Sequence, residues 1–305
     1  MIENIGIIGY SDIARRRIIP GIKKSEKFRL TAIGTRKIAD DYNDPMFMSY
    51  DDVFLSNRVD TIYISTPPAM HYEHALMALK NGKNVIIEKP AVLKVEHLET
   101  IVSIATERNL FFVEALSFEY NPIVPFLTNF FNETKHLIKE ISLTFRFPAL
   151  PSSNIRNKID LGGGITNDAL VYPLLLLQYF DIKLSTLKGA YTHRTFNENN
   201  VDSSVHYFFH HENITYRIMV GMGYSYENSI EIITSKDTYR VPKLFSLRSD
   251  EEGLLLKNNE VIEILDSCDQ VQVMFDFLHL FQDDRHYLER MLERTKVLEV
   301  LNSGL

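Results

Sequence analysis

The chain has 305 residues, 45% of them hydrophobic and 24% charged, enough for two ordinary domains with real cores. Its net charge of −7 argues against nucleic acid or an anionic membrane as a partner, since both need a basic surface. Cys268 is the single cysteine, so an intrachain disulfide and a cysteine metal cluster are excluded, and no metal site is expected. That usage fits a reducing compartment. The first residues, Glu3-Asn4 and then a short apolar run broken by Gly6 and Gly9, lack the marks of a secretory signal, so a cytoplasmic protein is expected.

Taken in chain order, Ile5–Ile8 reads as a buried strand, Asp12–Ile19 as the start of a helix, Phe28–Ile33 as a second strand and Asp60–Ser65 as a third. Met70–Asn81 places Ala75, Leu76 and Leu79 at helical spacing and stops at Gly82. Asn84–Ile87 and Leu110–Val113 are further strands, with a helix over Val95–Arg108 between them. Such alternation implies right-handed crossovers and a parallel sheet. After Pro122 the texture changes. Ile138–Phe147, Leu187–Thr195, Ser203–His211, Ile214–Gly221 and Asn228–Thr234 read as successive strands of an antiparallel meander, two of them joined by a Glu212-Asn213 turn. Helices are expected near Thr166–Phe180 and over Val271–Leu301. Tyr207 and Phe208 point to opposite faces of the meander, so one face is expected to be covered by a second copy, giving a homodimer or homotetramer.

Gly9-Tyr10-Ser11-Asp12-Ile13-Ala14 stands where the first strand meets the first helix. A glycine at the turn, a small residue against the strand and a helix N-terminus suit a dinucleotide phosphate, with a glycine-containing strand–helix turn that holds no ligand as the alternative. With the strand–helix alternation and the later strands, residues 1–118 are expected as a Rossmann domain and residues 119–305 as an α+β domain with a largely antiparallel open sheet. Ser11 replaces the usual second glycine; it still allows close approach and adds a hydroxyl. At the end of the second strand, where an NAD site carries a carboxylate, the chain has Thr35-Arg36-Lys37. Two cations there suit a 2′-phosphate, so NADP(H) is favoured over NAD(H). A plain solvated basic loop is the alternative.

The stretch Ser65-Thr66-Pro67-Pro68-Ala69-Met70-His71, followed after Gly82 by a strand ending Glu88-Lys89-Pro90, resembles the glucose–fructose oxidoreductase / inositol dehydrogenase (Gfo/Idh/MocA) family. That resemblance implies a lysine, here Lys89, beside nicotinamide and substrate, a cis Lys89–Pro90 bond, and cofactor contacts from the two proline-containing loops, Glu88 included. An ammonium at that place stabilises the alkoxide formed or consumed during hydride transfer. His71 is open to two readings, a cofactor contact or a helix-end cap.

Leu161-Gly162-Gly163-Gly164-Ile165-Thr166-Asn167-Asp168-Ala169-Leu170-Val171-Tyr172 resembles the family's triple-glycine segment. By that resemblance Tyr172 exchanges the proton with the substrate oxygen, Asp168 orients substrate or Lys89, and Arg156 lies near cofactor or substrate. Spacing of four places Asp168 and Tyr172 one helical turn apart. Two features depart from the family: Leu170 replaces a small residue and would narrow the space above the nicotinamide, and Glu119 and Asn121 occupy the segment that usually carries an arginine. Tyr172 and the Asn154-Ile155-Arg156 approach to the glycines look most like the family's ketoreductases of nucleotide-linked sugars. Two alternatives stay open: an NADP-binding sensor or scaffold without turnover, and a same-fold reductase of a dihydrodiol or tetrapyrrole.

Overall fold

The structure, a computed structural model, describes residues 2–36, 46–187, 189–278 and 284–303. In chain order its elements are β1 (Glu3–Ile8), a π-helical turn (Ala14–Ile18) running into α1 (Ile19–Lys24), β2 (Phe28–Gly34), β3 (Phe47–Met48), α2 (Tyr50–Leu55), β4 (Thr61–Ile64), α3 (His71–Lys80), β5 (Asn84–Glu88), α4 (Val95–Glu107) and β6 (Phe112–Ala115). Then come α5 (Ile123–Thr134), β7 (Ile138–Phe147), α6 (Ile165–Ala169), α7 (Val171–Tyr179), β8 (Tyr191–Phe196), β9 (Asp202–His211), β10 (Ile214–Met222), β11 (Glu227–Thr234), β12 (Thr238–Val241), β13 (Gly253–Lys257), β14 (Glu260–Leu265), α8 (Gln270–Phe277) and α9 (Arg285–Asn302). These elements fall into two compact units. One takes the chain through Ser117 together with Val271–Thr295; the other takes Phe118–Gln270 and the residues from Lys296 onward.

The first unit holds a six-stranded sheet in the order β3-β2-β1-β4-β5-β6, parallel throughout. This is the doubly wound Rossmann order, with its switch point between β1 and β4. The middle strands read as unbroken apolar runs because helices cover both faces: Ile5, Ile7, Ile8, Ile62, Tyr63, Ile64, Val85, Ile86 and Ile87 are all fully buried. Pro20, lacking an N–H, sits at the start of α1, just past the π-turn, whose bond runs five residues from the Ile19 amide to the Ala14 carbonyl.

The expected helix over Val271–Leu301 is two helices, α8 and α9, with residues 279–283 between them lying outside the described ones. Much of this segment packs on the first unit, not the second. A Cβ on Gly21 would come within 2.5 Å of Val271. The Phe275 ring lies 5.6 Å from Phe28 and 5.8 Å from Tyr63, and the Ser25 hydroxyl donates to Asp276 over 2.6 Å.

The second unit is built on an eight-stranded sheet in the order β14-β13-β12-β11-β7-β10-β9-β8. It is antiparallel except where β7 and β10 pair in parallel, so the expected simple meander is interrupted by β7 inserted between β10 and β11. The β9–β10 hairpin closes at the expected Glu212-Asn213 turn, with Glu212 at φ 53°. Leu187 belongs to a helical turn, and β8 starts only at Tyr191. Of the two faces, one is apolar and buried, with Ile141, Leu143, Val205, Tyr207, Ile218, Val220, Ile230 and Ile232. Burial raises the Tyr207 phenol to about 12 and pushes Tyr216 up as well. On the other face lie cross-strand neighbours such as Tyr191, Phe208 and Arg217, of which Tyr191 is 69% exposed.

Candidate active site

In the first unit the site is assembled where β1, β4 and β5 end. Gly9 follows β1 with φ 98°, and a Cβ there would meet the Ser65 carbonyl oxygen at 2.9 Å, so the turn requires glycine. Ser11 supplies what a glycine would not: its hydroxyl accepts from the Ala14 amide at 3.1 Å, capping the helix, and lies 2.6 Å from the Ser65 hydroxyl. That second contact ties the β1 loop to the β4 loop across the switch point. The amides of Asp12 and Ile13 are first-turn donors, which a helix leaves without an internal acceptor and which suit a pyrophosphate. The Asp12 carboxylate faces away from that role; it pairs with Arg16, whose Nε lies at 2.7 Å, and with Arg15. The Tyr10 ring packs edge-on against Phe47 and under Arg15.

At the end of β2 the Thr35 amide donates to the Met48 carbonyl, and nearby burial pushes the Tyr50 phenol up, an effect the Arg36 charge opposes. Lys37, expected beside them, lies outside the described residues. Beyond β4, the Thr66 hydroxyl meets His74 Nδ1 at 2.9 Å, which positions the Thr66-Pro67-Pro68 loop. Burial holds the His74 imidazole below its ordinary pKa.

His71 is not the helix cap, a place held by Met70, but the first residue of α3. It is fully buried, with Nε2 2.8 Å from the Thr66 carbonyl oxygen and Nδ1 3.0 Å from the Pro90 carbonyl oxygen. Desolvation lowers its pKa, against which the neighbouring carbonyls act. Its ring joins the β4 loop to the β5 loop. The Lys89–Pro90 bond is cis, as the resemblance implied. Before it, Glu88 accepts from the Tyr63 phenol at 2.6 Å and from the Lys89 amide at 3.3 Å. Burial pushes the Glu88 carboxyl up, an effect the Tyr63 bond and the Lys89 and Arg17 charges oppose.

After that bond, the Ala91 amide donates to Glu114 Oε1 at 2.9 Å, while Glu114 Oε2 accepts from Arg294 Nη2 at 2.7 Å. Glu114 and Arg294 are 4% and 2% exposed. Sequence reading missed this pair. Its only signal was a carboxylate inside the apolar run Phe111-Phe112-Val113-Glu114-Ala115.

In the second unit the glycine run brings a loop against a helix. Gly162 and Gly164 have φ 76° and 107°, and a Cβ on Gly163 would lie 2.6–2.7 Å from the carbonyl oxygens of Ile155, Arg156 and Lys158. That contact sets Arg156 beside α6, where its Nε donates to Asp168 at 2.6 Å. The two residues singled out separately thus form one ion pair. Asp202 anchors the start of α6 by accepting from the Thr166 amide and hydroxyl. Tyr172, on α7, is ringed by Phe145, Phe245 and Phe118 at centroid distances of 5.5, 5.8 and 6.3 Å. Leu170 is fully buried. Glu119 accepts from Tyr179 at 2.8 Å, and Asn121 Oδ1 accepts from the Ile123 amide at 2.9 Å just before α5; both are buried.

Among the described residues no group of three or more His, Cys, Asp or Glu side chains could hold a metal ion, and no helix is long and apolar enough to cross a membrane.

Comparison with known proteins bears on the same elements. The chain is 25% identical over 249 residues to a dTDP-3,4-didehydro-2,6-dideoxy-alpha-D-glucose 3-reductase of Actinomadura kijaniata, covering 79% of this chain and 75% of that protein. It is 27% identical over 188 residues to a D-xylose 1-dehydrogenase (NADP(+)) of Hypocrea jecorina, covering 56% and 46%. Among solved structures, a 3-ketoreductase from Actinomadura kijaniata in complex with NADP and TDP-benzene superimposes with TM-score 0.88 over 100% of this chain and 98% of that one, at 21% identity. An aldose-aldose oxidoreductase from Caulobacter crescentus does so with TM-score 0.82 at 15% identity, over 100% and 97%. At such identities these superpositions establish the fold. Residues 3–115, the strand and turn system described above, match the oxidoreductase family with an NAD-binding Rossmann fold. Through that unit, the chain is similar to the Gfo/Idh/MocA oxidoreductases.

Proposed function

We propose that this protein is an NADP(H)-dependent oxidoreductase that moves hydride between the nicotinamide and a keto or hydroxyl carbon of a sugar, with a nucleotide-linked keto-sugar as the substrate class. The carrying observation is the Ser11–Ser65 bridge, which places a glycine turn and helix N-terminus at the switch point of the sheet, with Lys89 ending the strand after β4. The residues fit a dinucleotide: Gly9 allows the tight turn at φ 98° against the Ser65 backbone, the first-turn amides have no internal acceptor, and Arg36 follows the second strand as a cation for a 2′-phosphate. When bound, that cofactor supplies or accepts the hydride. Lys89 holds its ammonium toward the substrate oxygen and stabilises negative charge there. Tyr172 gives the oxygen its proton, or takes it in the reverse direction. Arg156 and Asp168 act together, the carboxylate fixing the guanidinium that orients the substrate. The nucleotide-sugar class is supported by the reductase names among the relatives and by the whole-chain likeness to a ketoreductase fold.

The test is turnover of NADPH with a nucleoside-diphosphate 3-keto-sugar, and of NADP+ with D-xylose, by the wild type and by Lys89→Met and Tyr172→Phe. Loss of about 10² or more in kcat in each variant, with NADPH still bound, is expected. Tight NADPH binding without turnover of any keto-sugar would favour the sensor. Arg36→Ala should weaken NADPH by about 10-fold or more, one charge-assisted contact, and leave NADH nearly unchanged.

We further propose a homodimer or homotetramer through the outer face of the eight-stranded sheet. It is supported by the exposed Tyr191 and Phe208 and by the outward Ile262 and Ile264 at its far edge. Light scattering that finds only monomer at micromolar concentration would refute this. A cytoplasmic location is supported by the single cysteine and is tested by fractionation.

A further inference from the structure

Lys89 does its work only if the backbone that carries it stays still, and three bonds grip that backbone. The Lys89 amide is held by Glu88, the Pro90 carbonyl by His71, and the Ala91 amide by Glu114. The third grip differs from the others because it is anchored from elsewhere in the sequence. Glu114 Oε1 holds Ala91, and Oε2 takes the Arg294 guanidinium from α9, 180 positions along the chain. The Tyr287 hydroxyl, also on α9, accepts from the Glu114 amide at 2.9 Å and donates to the Glu114 carbonyl at 3.1 Å. Glu114, Arg294 and Tyr287 are all buried. A buried carboxylate with a free torsion would swing between partners. Here one oxygen is fixed by a cation and the backbone by a phenol, so the other oxygen has a single place to be.

We infer that Arg294 and Tyr287, acting through Glu114, are positioning residues for Lys89: helix α9 locks the Pro90–Ala91 peptide and so aims the ammonium. This rests on the reading of Lys89 as the residue that stabilises the substrate oxygen.

The experiment uses the full chain and four variants, Lys89→Met, Glu114→Gln, Arg294→Lys and Tyr287→Phe. Two readouts are taken on folded protein. One is kcat and KM with NADPH and a nucleoside-diphosphate 3-keto-sugar. The other, independent of turnover, is the rate of trace acetylation of Lys89 against pH, read by peptide mass spectrometry with exposed Lys94 as the internal reference. A misplacement of the order of 1 Å costs about 100-fold in rate, so Glu114→Gln and Arg294→Lys should lower kcat about 10- to 100-fold, Tyr287→Phe less. NADPH affinity should hold, and the Lys89 labelling profile should shift relative to Lys94. A role limited to stability would lower the melting temperature and leave kcat and labelling alone. Wild-type kcat and labelling in any one folded variant of the three, with Lys89→Met inactive, overturns the inference. Full activity in Lys89→Met instead overturns the reading it rests on.

Discussion

Ser11 is where this chain departs from the glycine-rich fingerprint, and its hydroxyl is already engaged on two sides. Ser11→Ala removes an N-cap, worth about 1 kcal/mol, and the bond to Ser65, worth about another 1 kcal/mol. Ser65 is only 4% exposed, so its hydroxyl would be left without that partner away from water. Ser11→Gly loses the same bond but little as a cap, because glycine is tolerated at N-cap positions. The expected losses are therefore about 2 kcal/mol for alanine and about 1 kcal/mol for glycine. At about 2–4 °C per kcal/mol for a unit of this size, alanine lowers the melting temperature by about 4–8 °C and glycine by half as much. Calorimetry on both variants measures this, and NADPH fluorescence titration measures cofactor affinity alongside. Since the hydroxyl is committed to the turn, the NADPH Kd of Ser11→Gly should stay within about threefold, under 1 kcal/mol. A tenfold loss of affinity with an unchanged melting temperature would mean that the hydroxyl serves the phosphates and the structural argument is wrong.

Other outcomes follow from the same contacts. Lys83 buries its ammonium against the carbonyls of Ser56 and Val59 at 2.6 and 2.7 Å, so Lys83→Met should cost about 2–4 kcal/mol in urea unfolding with unchanged kcat. Gly163→Ala drives a methyl into three carbonyl oxygens and should cost about 1–3 kcal/mol by the same assay. His71 has a folded pKa below the unfolded value of about 6.5, so the unfolded chain takes up more protons as the solution is acidified. Its share of stability is complete above about pH 6.5 and is lost as pH falls through the lowered folded value. Urea midpoints at pH 7.5 and 5.5 should therefore fall more for the wild type than for His71→Gln. Comparing the two proteins isolates His71, because Glu88, raised by burial, slopes the other way in both. Equal pH dependence in the two would refute the assignment.

How much of this was legible in the sequence depends on whether the partner of each residue is local. The strands β1, β4 and β5 were readable because burial on both faces turns them into apolar runs, and Lys89 because its neighbours in sequence are also its neighbours in space. Direction is not written in alternation: Ile214–Met222 alternates identically whether it pairs with β9 in one sense or with β7 in the other, and it does both. Strand β14 was invisible because Glu260, Val261, Ile262, Glu263 and Ile264 are all exposed, so no face is marked. Likewise the period of the C-terminal helices says that a face is buried, not against what; Val271–Thr295 cluster with the first unit.

Arg294 is the sharpest case. Within Leu288-Glu289-Arg290-Met291-Leu292-Glu293-Arg294-Thr295-Lys296 it reads as one more cation on a solvated face, yet it is 2% exposed. The signal lies at the other end of the bond. A carboxylate in a buried strand carries a desolvation cost far larger than its own propensity for that strand, so Glu114 calls for a buried donor somewhere in the fold. What its position in the chain leaves open is the choice among 33 lysines and arginines. That choice is fixed only when α9 lies down on the first unit, which is why the brace proposed for Lys89 shows itself in three dimensions and not along the chain.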